Sequence, residues 1–214
     1  MKTVLTPHAT LRHTPHHLHI EFTTPHQVLS SAVHNGGLVH ADHLLNMKVP
    51  LVDSSTEPPE VTLSKYCATA GWDGTTIGMM TAASMDSFRM QKETEQGIDI
   101  VVLVTSGLSN PRRVGDPAEY RTMAAQPTDV GTINIIVLTS ACLTGAAAVE
   151  AVLMVTEAKA AALQEAEVRS AVSHKIATGT GTGTDSVAVV SGQGPQTVSY
   201  CGKHVILEAN SYPL

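Results

Sequence analysis

The amino-acid sequence predicts a single α/β domain in which a mixed β-sheet packs against helices. Two segments, 100–105 and 132–139, consist almost entirely of Ile, Val, Leu and Thr, which is typical of strands buried on both faces. From Ala146 to Thr178 the sequence contains neither Pro nor Gly, and Thr144 is a suitable N-cap for a helix of about 20 residues. We expect both strands to be central and the helix to pack on one face of the sheet.

Composition favours one globular domain and argues against two classes of partner. With 214 residues, 43% of them hydrophobic, the chain is long enough for a substantial core. Aromatic residues make up 3% of the chain and the net charge is −6, so neither base stacking nor phosphate-backbone binding is favoured. No segment has the ~20 apolar residues of a membrane-spanning helix. The sequence therefore predicts no nucleic-acid partner and no membrane partner.

The cysteines and the N-terminal sequence indicate the cellular compartment. Three cysteines that are far apart and form no CxxC pair disfavour a disulfide framework and a thiolate zinc site. The first residues lack the apolar core of a secretory signal. We expect a soluble, cytoplasmic protein, with residues 1–27 as a His-rich segment at the domain edge and residues 28–214 as the main domain. A homo-oligomer is one open alternative.

The first 43 residues contain nine of the eleven histidines. They are His8, His13, His16, His17, His19, His26, His34, His40 and His43. Polar and apolar residues alternate over 17–22, so we expect a half-exposed strand with His17 and His19 on its solvent face. His40 and His43 form the most compact pair, but two imidazoles without a third ligand only weakly indicate a metal site. We therefore assign no metal ligands.

Several further elements follow from local patterns. Residues 28–33 are a second strand candidate, and Gly36–Gly37 permits a tight turn after it. Pro58–Pro59 suits the first positions of a helix that Gly71 would end. Residues 75–80 are predicted to form another strand.

Two loops beside the predicted core concentrate polar side chains. Residues 106–116 follow the buried strand 100–105, and ligands in open α/β sheets lie beyond the carboxyl ends of strands. The segment 177–186 alternates Gly and Thr but lacks the Lys of a phosphate-binding loop, and it precedes a strand rather than a helix. We interpret it as a hairpin that can donate several hydrogen bonds to a ligand.

Lys159 is the unusual residue of the long predicted helix. At about 100° per residue, Glu157 belongs to the polar stripe of that helix and Lys159 lies nearly opposite, among apolar residues. An ammonium group there must either reach water or pair with a carboxylate. Asp116 and Asp185 are the candidate partners, and such a pair would keep a carboxylate ionised near neutral pH.

Seven sequence blocks occur in order over roughly residues 28–205: SSAVHNGG, GMMTAA, VTSGLSNPRRVGD, GTINIIV, LTGAAAV, TEAKAAAL and ATGTGTGTDSVAV. Together they resemble the adenosylcobinamide amidohydrolases of the CbiZ type. The resemblance implies hydrolysis of the amide that joins a corrin side chain to aminopropanol, a linear amide. The product would be adenosylcobyric acid, which re-enters cobamide synthesis during corrinoid salvage.

Amide hydrolysis requires an activated water or nucleophile, a proton for the leaving amine, and donors for the oxyanion. The candidate catalytic residues are Asp116, Glu157 and Asp185, each as acid or base, and Lys159 as a charge partner. The candidate substrate-binding residues, chosen for hydroxyl or carboxamide groups that suit an amide-rich ligand, are Ser31, Asn35, Asn110, Asn134, Thr180 and Thr182. Of these, Ser31, Thr180 or Thr182 could act as nucleophile or as hydrogen-bond donor. We expect the charged residues to converge on one cleft with Ser31 and Asn35 at its edge.

Two other hypotheses stay open. A non-enzymatic corrinoid- or metal-binding protein would use the His-rich N-terminus. A metal-dependent hydrolase would act through His40 and His43. Metal analysis of the purified, untagged protein distinguishes these from the amidohydrolase hypothesis, and the sequence does not identify a nucleophile.

Overall fold

The computed structural model describes residues 2–50, 57–117, 131–173 and 178–203. In chain order its elements are β1 (Lys2–Thr6), β2 (Ala9–His13), β3 (His17–Ser30), β4 (Gly37–Lys48), α1 (Pro59–Ala70), β5 (Thr76–Thr81), a 3₁₀ turn (Met85–Ser87), β6 (Arg89–Glu95), β7 (Ile98–Ser106), β8 (Ile133–Thr139), β9 (Cys142–Leu143), α2 (Gly145–Glu165), β10 (Ser186–Val190) and β11 (Thr197–Val198). Neither α-helix in these ranges is long and apolar enough to cross a membrane.

One mixed sheet of nine strands forms the body of the molecule. Its order is β1-β2-β3-β10-β8-β7-β6, and β4 pairs with both β3 and β5. The sheet curls into a nearly closed barrel, so that β5 approaches β8 and Asn134 Nδ2 donates to the Met80 carbonyl oxygen at 2.9 Å. β7 and β8 are both interior strands, which confirms the predicted single α/β domain with these strands at its centre.

The core lies inside the barrel and is almost wholly aliphatic. Its fully buried side chains include Leu11, Ile20, Leu44, Ile77, Leu103 and Ile136. The two helices cover parts of the outer surface. Leu63 and Cys67 of α1 pack against Leu45 and Met47 of β4, and the small side chains of α2 allow it to lie close to β10.

The longest helix follows the sequence prediction closely. α2 spans 21 residues without a break. Thr144 caps it, since its hydroxyl accepts a hydrogen bond from the Ala147 amide at 3.2 Å. At the end of α1, Gly71 adopts a left-handed conformation (φ 70°), as predicted for a helix-ending glycine.

The N-terminal strands differ from the prediction. Segments 17–22 and 28–33 were expected to be separate strands, but β3 runs continuously from His17 to Ser30. Pro25 is tolerated because the pairing of β3 with β4 is interrupted between Glu21 and His26, where a missing amide costs no ladder hydrogen bond. β3 also crosses the boundary between residues 27 and 28, so one strand joins the His-rich segment to the rest of the sheet.

The expectation that His19 lies on a solvent face is wrong. His19 is 4% exposed, and its ring stacks on Trp72 with centroids 3.7 Å apart. Trp72 follows α1 directly and covers this face of β3. The alternating pattern correctly indicated a strand, but it did not reveal that another segment covers the polar side.

Candidate active site

A cleft of about 610 Å³ lies between α2 and the outer face of β6, β7 and β8. Because side chains alternate along a strand, β7 and β8 present every second residue to this cleft. Its aliphatic floor includes Val102, Val104, Ile133, Ile135 and Val137, and its helical wall includes Ala151, Met154, Val155, Ala158 and Ala162. A cleft of this size and character is typical of small-molecule sites, which span about 300–1,000 Å³.

A buried ion pair lies at this cleft. Lys159, which lines the cleft, places its Nζ 2.6 Å from Asp185 Oδ2, and the two side chains are 13% and 11% exposed. Asp185 also accepts hydrogen bonds from the Ile133 amide at 2.9 Å, the Thr182 amide at 3.0 Å and the Thr182 hydroxyl at 2.5 Å. The apolar side of α2 thus supplies the cation, and the Gly/Thr loop supplies the anion.

The environment keeps Asp185 ionised. Burial acts to raise the pKa of Asp185, but hydrogen bonds from Lys159, Thr182 and Ile133 outweigh it and hold that pKa below its ordinary value. The ion pair lies so close to the backbone at Gly181 that only glycine fits there. A Cβ at this position would lie 2.2 Å from Asp185 Oδ2 and 2.8 Å from Lys159 Nζ. The alternation of Gly and Thr in the loop therefore has a steric reason at this position.

The two polar loops lie side by side. The Arg112 amide donates to the Gly181 carbonyl oxygen at 2.8 Å, and the Thr180 amide donates to the Arg112 carbonyl oxygen at 2.8 Å. The Thr180 hydroxyl accepts from the Val114 amide at 3.0 Å. These bonds fix the 106–116 loop against the loop that carries Asp185.

Asp116 lies in the first of these loops and is held locally. It accepts hydrogen bonds from the Ser170 hydroxyl at 2.5 Å and from the Arg113 amide at 2.7 Å. The hydrogen bond from Ser170 is the main cause that lowers the pKa of Asp116. Asp116 therefore lies on the loop beside the ion pair, and its carboxylate bonds to Ser170 and Arg113 while Lys159 pairs with Asp185.

Two of the asparagines singled out in the sequence bind other parts of the protein. Asn110 Oδ1 accepts from the Gly131 amide at 2.8 Å. Asn134 points into the barrel, and its Nδ2 donates to Asn46 Oδ1 at 2.8 Å as well as to the Met80 carbonyl oxygen. Both side chains are buried. Asn110 therefore holds its own loop against Gly131, and Asn134 links β8 to β4 and β5 inside the barrel.

Ser31, Asn35 and Glu157 occupy exposed positions. Ser31 Oγ lies 3.1 Å from the Oγ of Ser186, which is the residue that follows Asp185. Asn35 has a φ of 53° and donates through Nδ2 to the Thr76 carbonyl oxygen at 2.9 Å. Glu157 forms an ion pair with Lys203 and is about half exposed. Lys159 and Asp185 are thus brought together with Thr182, whereas Glu157 faces away from the cleft.

Sequence reasoning missed two features of the site. The cleft floor was hidden because continuous apolar runs in β7 and β8 do not reveal which face is left open. Cys201 also lines the cleft, but burial raises the pKa of its thiol to about 11, with Glu150 adding to the effect. A neutral thiol is a poor nucleophile at neutral pH.

The histidine-rich segment does not assemble a metal-binding cluster in the described residues. No group of three His, Cys, Asp or Glu side chains in those ranges is arranged to hold a metal ion. His43 Nε2 contacts the Asp73 carbonyl oxygen at 3.0 Å, and its Nδ1 contacts His19 Nε2 at 3.2 Å. Both ring nitrogens of His43 therefore already have protein partners.

An aliphatic cleft that meets a buried ion pair on a curled α/β sheet has the features typical of small-molecule sites. The chain belongs to the adenosylcobinamide amidohydrolase (CbiZ) family, whose model matches residues 3–207. This match confirms the resemblance carried by the seven sequence blocks.

Two individual relatives each match part of this chain. An uncharacterized protein of Methanocaldococcus jannaschii is 35% identical over 139 residues, covering 59% of this chain and 54% of that protein. An adenosylcobinamide amidohydrolase of Methanosarcina mazei is 28% identical over 131 residues, covering 61% and 57%. The chain spans about half the length of these relatives. A crystal structure of a Pyrococcus horikoshii protein covers 96% of this chain and 75% of its own, with 12% identity and a TM-score of 0.36.

Proposed function

We propose that the protein hydrolyses the amide between a corrin side chain and aminopropanol in adenosylcobinamide, in the cytoplasm, as a step of corrinoid salvage. Family membership and the name of the Methanosarcina mazei relative support this proposal. The structural observation that carries it is the buried Lys159–Asp185 pair at an aliphatic cleft. Ionic groups in such a place are costly to desolvate, so their presence at a cleft favours a chemical role.

The proposed reaction adds one water to the amide. Water oxygen bonds to the carbonyl carbon, the carbon–nitrogen bond breaks, and the leaving nitrogen takes both protons of the water. The products are a corrinoid carboxylate and protonated aminopropanol. Lys159 would face the carbonyl oxygen, while Asp116, Asp185 and Glu157 are the acid or base candidates from the sequence, of which Asp185 contacts Lys159.

Incubation of the purified protein with adenosylcobinamide tests the proposal, with released aminopropanol measured by mass spectrometry. Lys159→Met keeps the apolar stem and deletes the charge, and we expect it to lower kcat/KM at least ~30-fold, equivalent to about 2 kcal/mol. The matched control is Lys2→Met, since Lys2 is an exposed residue of β1 paired with Glu21. Its rate should stay within about twofold of wild type.

Two outcomes would contradict the proposal. A folded wild-type protein that binds the corrinoid but leaves the amide intact would favour the binding-protein hypothesis. An active enzyme whose Lys159→Met variant retains the full rate would place the reaction elsewhere in the molecule.

A further inference from the structure

We propose that Lys159 is the catalytic residue that binds the scissile carbonyl oxygen, and that Asp185 and Thr182 are positioning residues that aim it. This inference rests on the proposed function, because it assigns roles within the same site. It also differs from the sequence hypothesis, in which Asp185 is a candidate acid or base and Thr182 a candidate nucleophile or donor to the substrate.

The hydrogen bonds of Asp185 leave it poorly suited to act as a base. Oδ1 accepts from the Ile133 amide and the Thr182 hydroxyl, and Oδ2 accepts from Lys159 and the Thr182 amide. A carboxylate offers about four acceptor sites, so these four donors occupy its capacity. A general base must instead accept a proton from water, and it works best when its pKa is near the working pH.

Within the described residues, Lys159 uses only part of its N–H donor capacity. Its ammonium carries about three N–H groups, and in the described part of the chain its one recorded hydrogen bond goes to Asp185. Because the side chain lines the cleft, the remaining N–H groups are available to an oxygen atom of a bound ligand. A fixed cation in a site shielded from water stabilises negative charge developing on that oxygen.

Thr182 determines where this cation lies. Its amide and its hydroxyl both donate to Asp185, so its O–H is already committed within the protein. Gly181 provides the room for this contact, because any side chain there would overlap the ion pair. Through Asp185, the short turn from Gly181 to Asp185 therefore holds the Lys159 ammonium in place.

Comparing Thr182→Val with Thr182→Ser tests the positioning role. Valine keeps the shape and the backbone donor but deletes the hydroxyl, and we expect kcat to fall ~10-fold with KM within about twofold. Serine restores the hydroxyl and should recover most of the rate. Thr69→Val is the matched control, because Thr69 is exposed on α1 and its hydroxyl donates to the Lys65 carbonyl oxygen.

A second measurement does not depend on catalysis. Loss of a donor raises the pKa of a carboxylate, so ¹³C NMR should show Asp185 titrating at higher pH in Thr182→Val but not in Thr182→Ser. The acid limb of kcat/KM should move in the same direction. If wild type proves inactive while the titration shifts as expected, the proposed function fails and the positioning of Asp185 by Thr182 stands.

Two results would overturn this inference. A Thr182→Val variant that raises KM ~10-fold with unchanged kcat would indicate that the hydroxyl binds substrate directly. An unchanged titration of Asp185 in that variant would mean that Thr182 does not control the carboxylate.

Discussion

Two buried polar clusters offset the free-energy cost of desolvating polar groups in opposite ways. The ionic cluster consists of Lys159, Thr182 and Asp185, and its cation borders the cleft. The imidazole cluster consists of His19, His43 and Trp72 beneath the end of α1. The ionic cluster keeps full charges and has ammonium N–H groups left for a ligand. The imidazole cluster avoids charge and uses its N–H donors within the protein.

The imidazole cluster is a short chain of hydrogen bonds that runs from His19 through His43 to the Asp73 carbonyl oxygen. His43 Nε2 faces a carbonyl oxygen and must donate to it, so its Nδ1 accepts from His19 Nε2. Burial, with a smaller contribution from His43, lowers the pKa of His19 to about 3. The His19 ring is therefore neutral at pH 7, and its hydrogen bond to His43 stays within the protein.

This difference distinguishes buried polar groups that stabilise the fold from buried polar groups that act in chemistry. Neutral hydrogen-bonded rings bury at modest cost, while an ion pair pays for desolvating two charges and often stabilises no better than apolar residues would. We therefore expect the ionic cluster beside the cleft to matter more for chemistry than for stability. Four substitutions, given from the largest expected effect to the smallest, test this comparison.

The largest effect is expected from Asp185→Asn. Removing one partner of a buried pair leaves the other charge uncompensated, so we expect a loss of about 3 kcal/mol in the free energy of unfolding. Lys159→Met should cost less, because Asp185 keeps its bonds to Ile133 and Thr182. Urea unfolding at pH 7 measures both variants.

Lys2→Met is the control for this comparison, since exposed pairs such as Lys2–Glu21 contribute about 0–1 kcal/mol. A Lys159→Met variant less stable than Asp185→Asn would contradict the assignment of Asp185 as the better satisfied partner.

A smaller effect concerns acid stability. His19 binds a proton in the unfolded state below about pH 6.5 but does so in the folded state only near pH 3, so stability falls as pH decreases through this window. At pH 5 this destabilisation amounts to about 2 kcal/mol. His19→Gln should therefore flatten the pH dependence of urea unfolding between pH 7 and pH 4.5.

His40→Gln is the matched control, because His40 is exposed on β4. Its pH dependence should follow that of wild type. An unchanged slope in His19→Gln would mean that the imidazole cluster is not the source of acid sensitivity.

The sequence predicted what depends on local pattern. Continuous apolar runs located β7 and β8, and the absence of Pro and Gly from Ala146 to Thr178 located α2. Helical periodicity also placed Lys159 on an apolar side, where desolvation demands a partner. These features arise within one element, so neighbouring residues are enough to reveal them.

Features that arise between elements were not predictable in this way. Asp116 and Asp185 were equally plausible partners for Lys159, and only the close approach of the Gly181 turn selects Asp185. The polar face of β3 appeared exposed because nothing near it in sequence shows that Trp72 covers it. β4 was missed since its segment combines an exposed start with a buried end instead of alternating.

The smallest effect is expected from Glu157→Gln. Two residues at about 100° each separate Glu157 from Lys159 by about 200° around α2, and the Glu157 carboxylate pairs with Lys203 at an exposed position. Losing such a pair should change the free energy of unfolding by less than about 0.5 kcal/mol. If the cleft side of α2 performs the chemistry, kcat/KM should stay within about twofold of wild type, because glutamine keeps the shape and removes only a solvated charge. Aminopropanol release by this variant, measured beside Lys159→Met, compares the two faces of one helix. A loss of about tenfold or more at unchanged stability would return Glu157 to the catalytic set and place the reacting bond on the opposite side of α2.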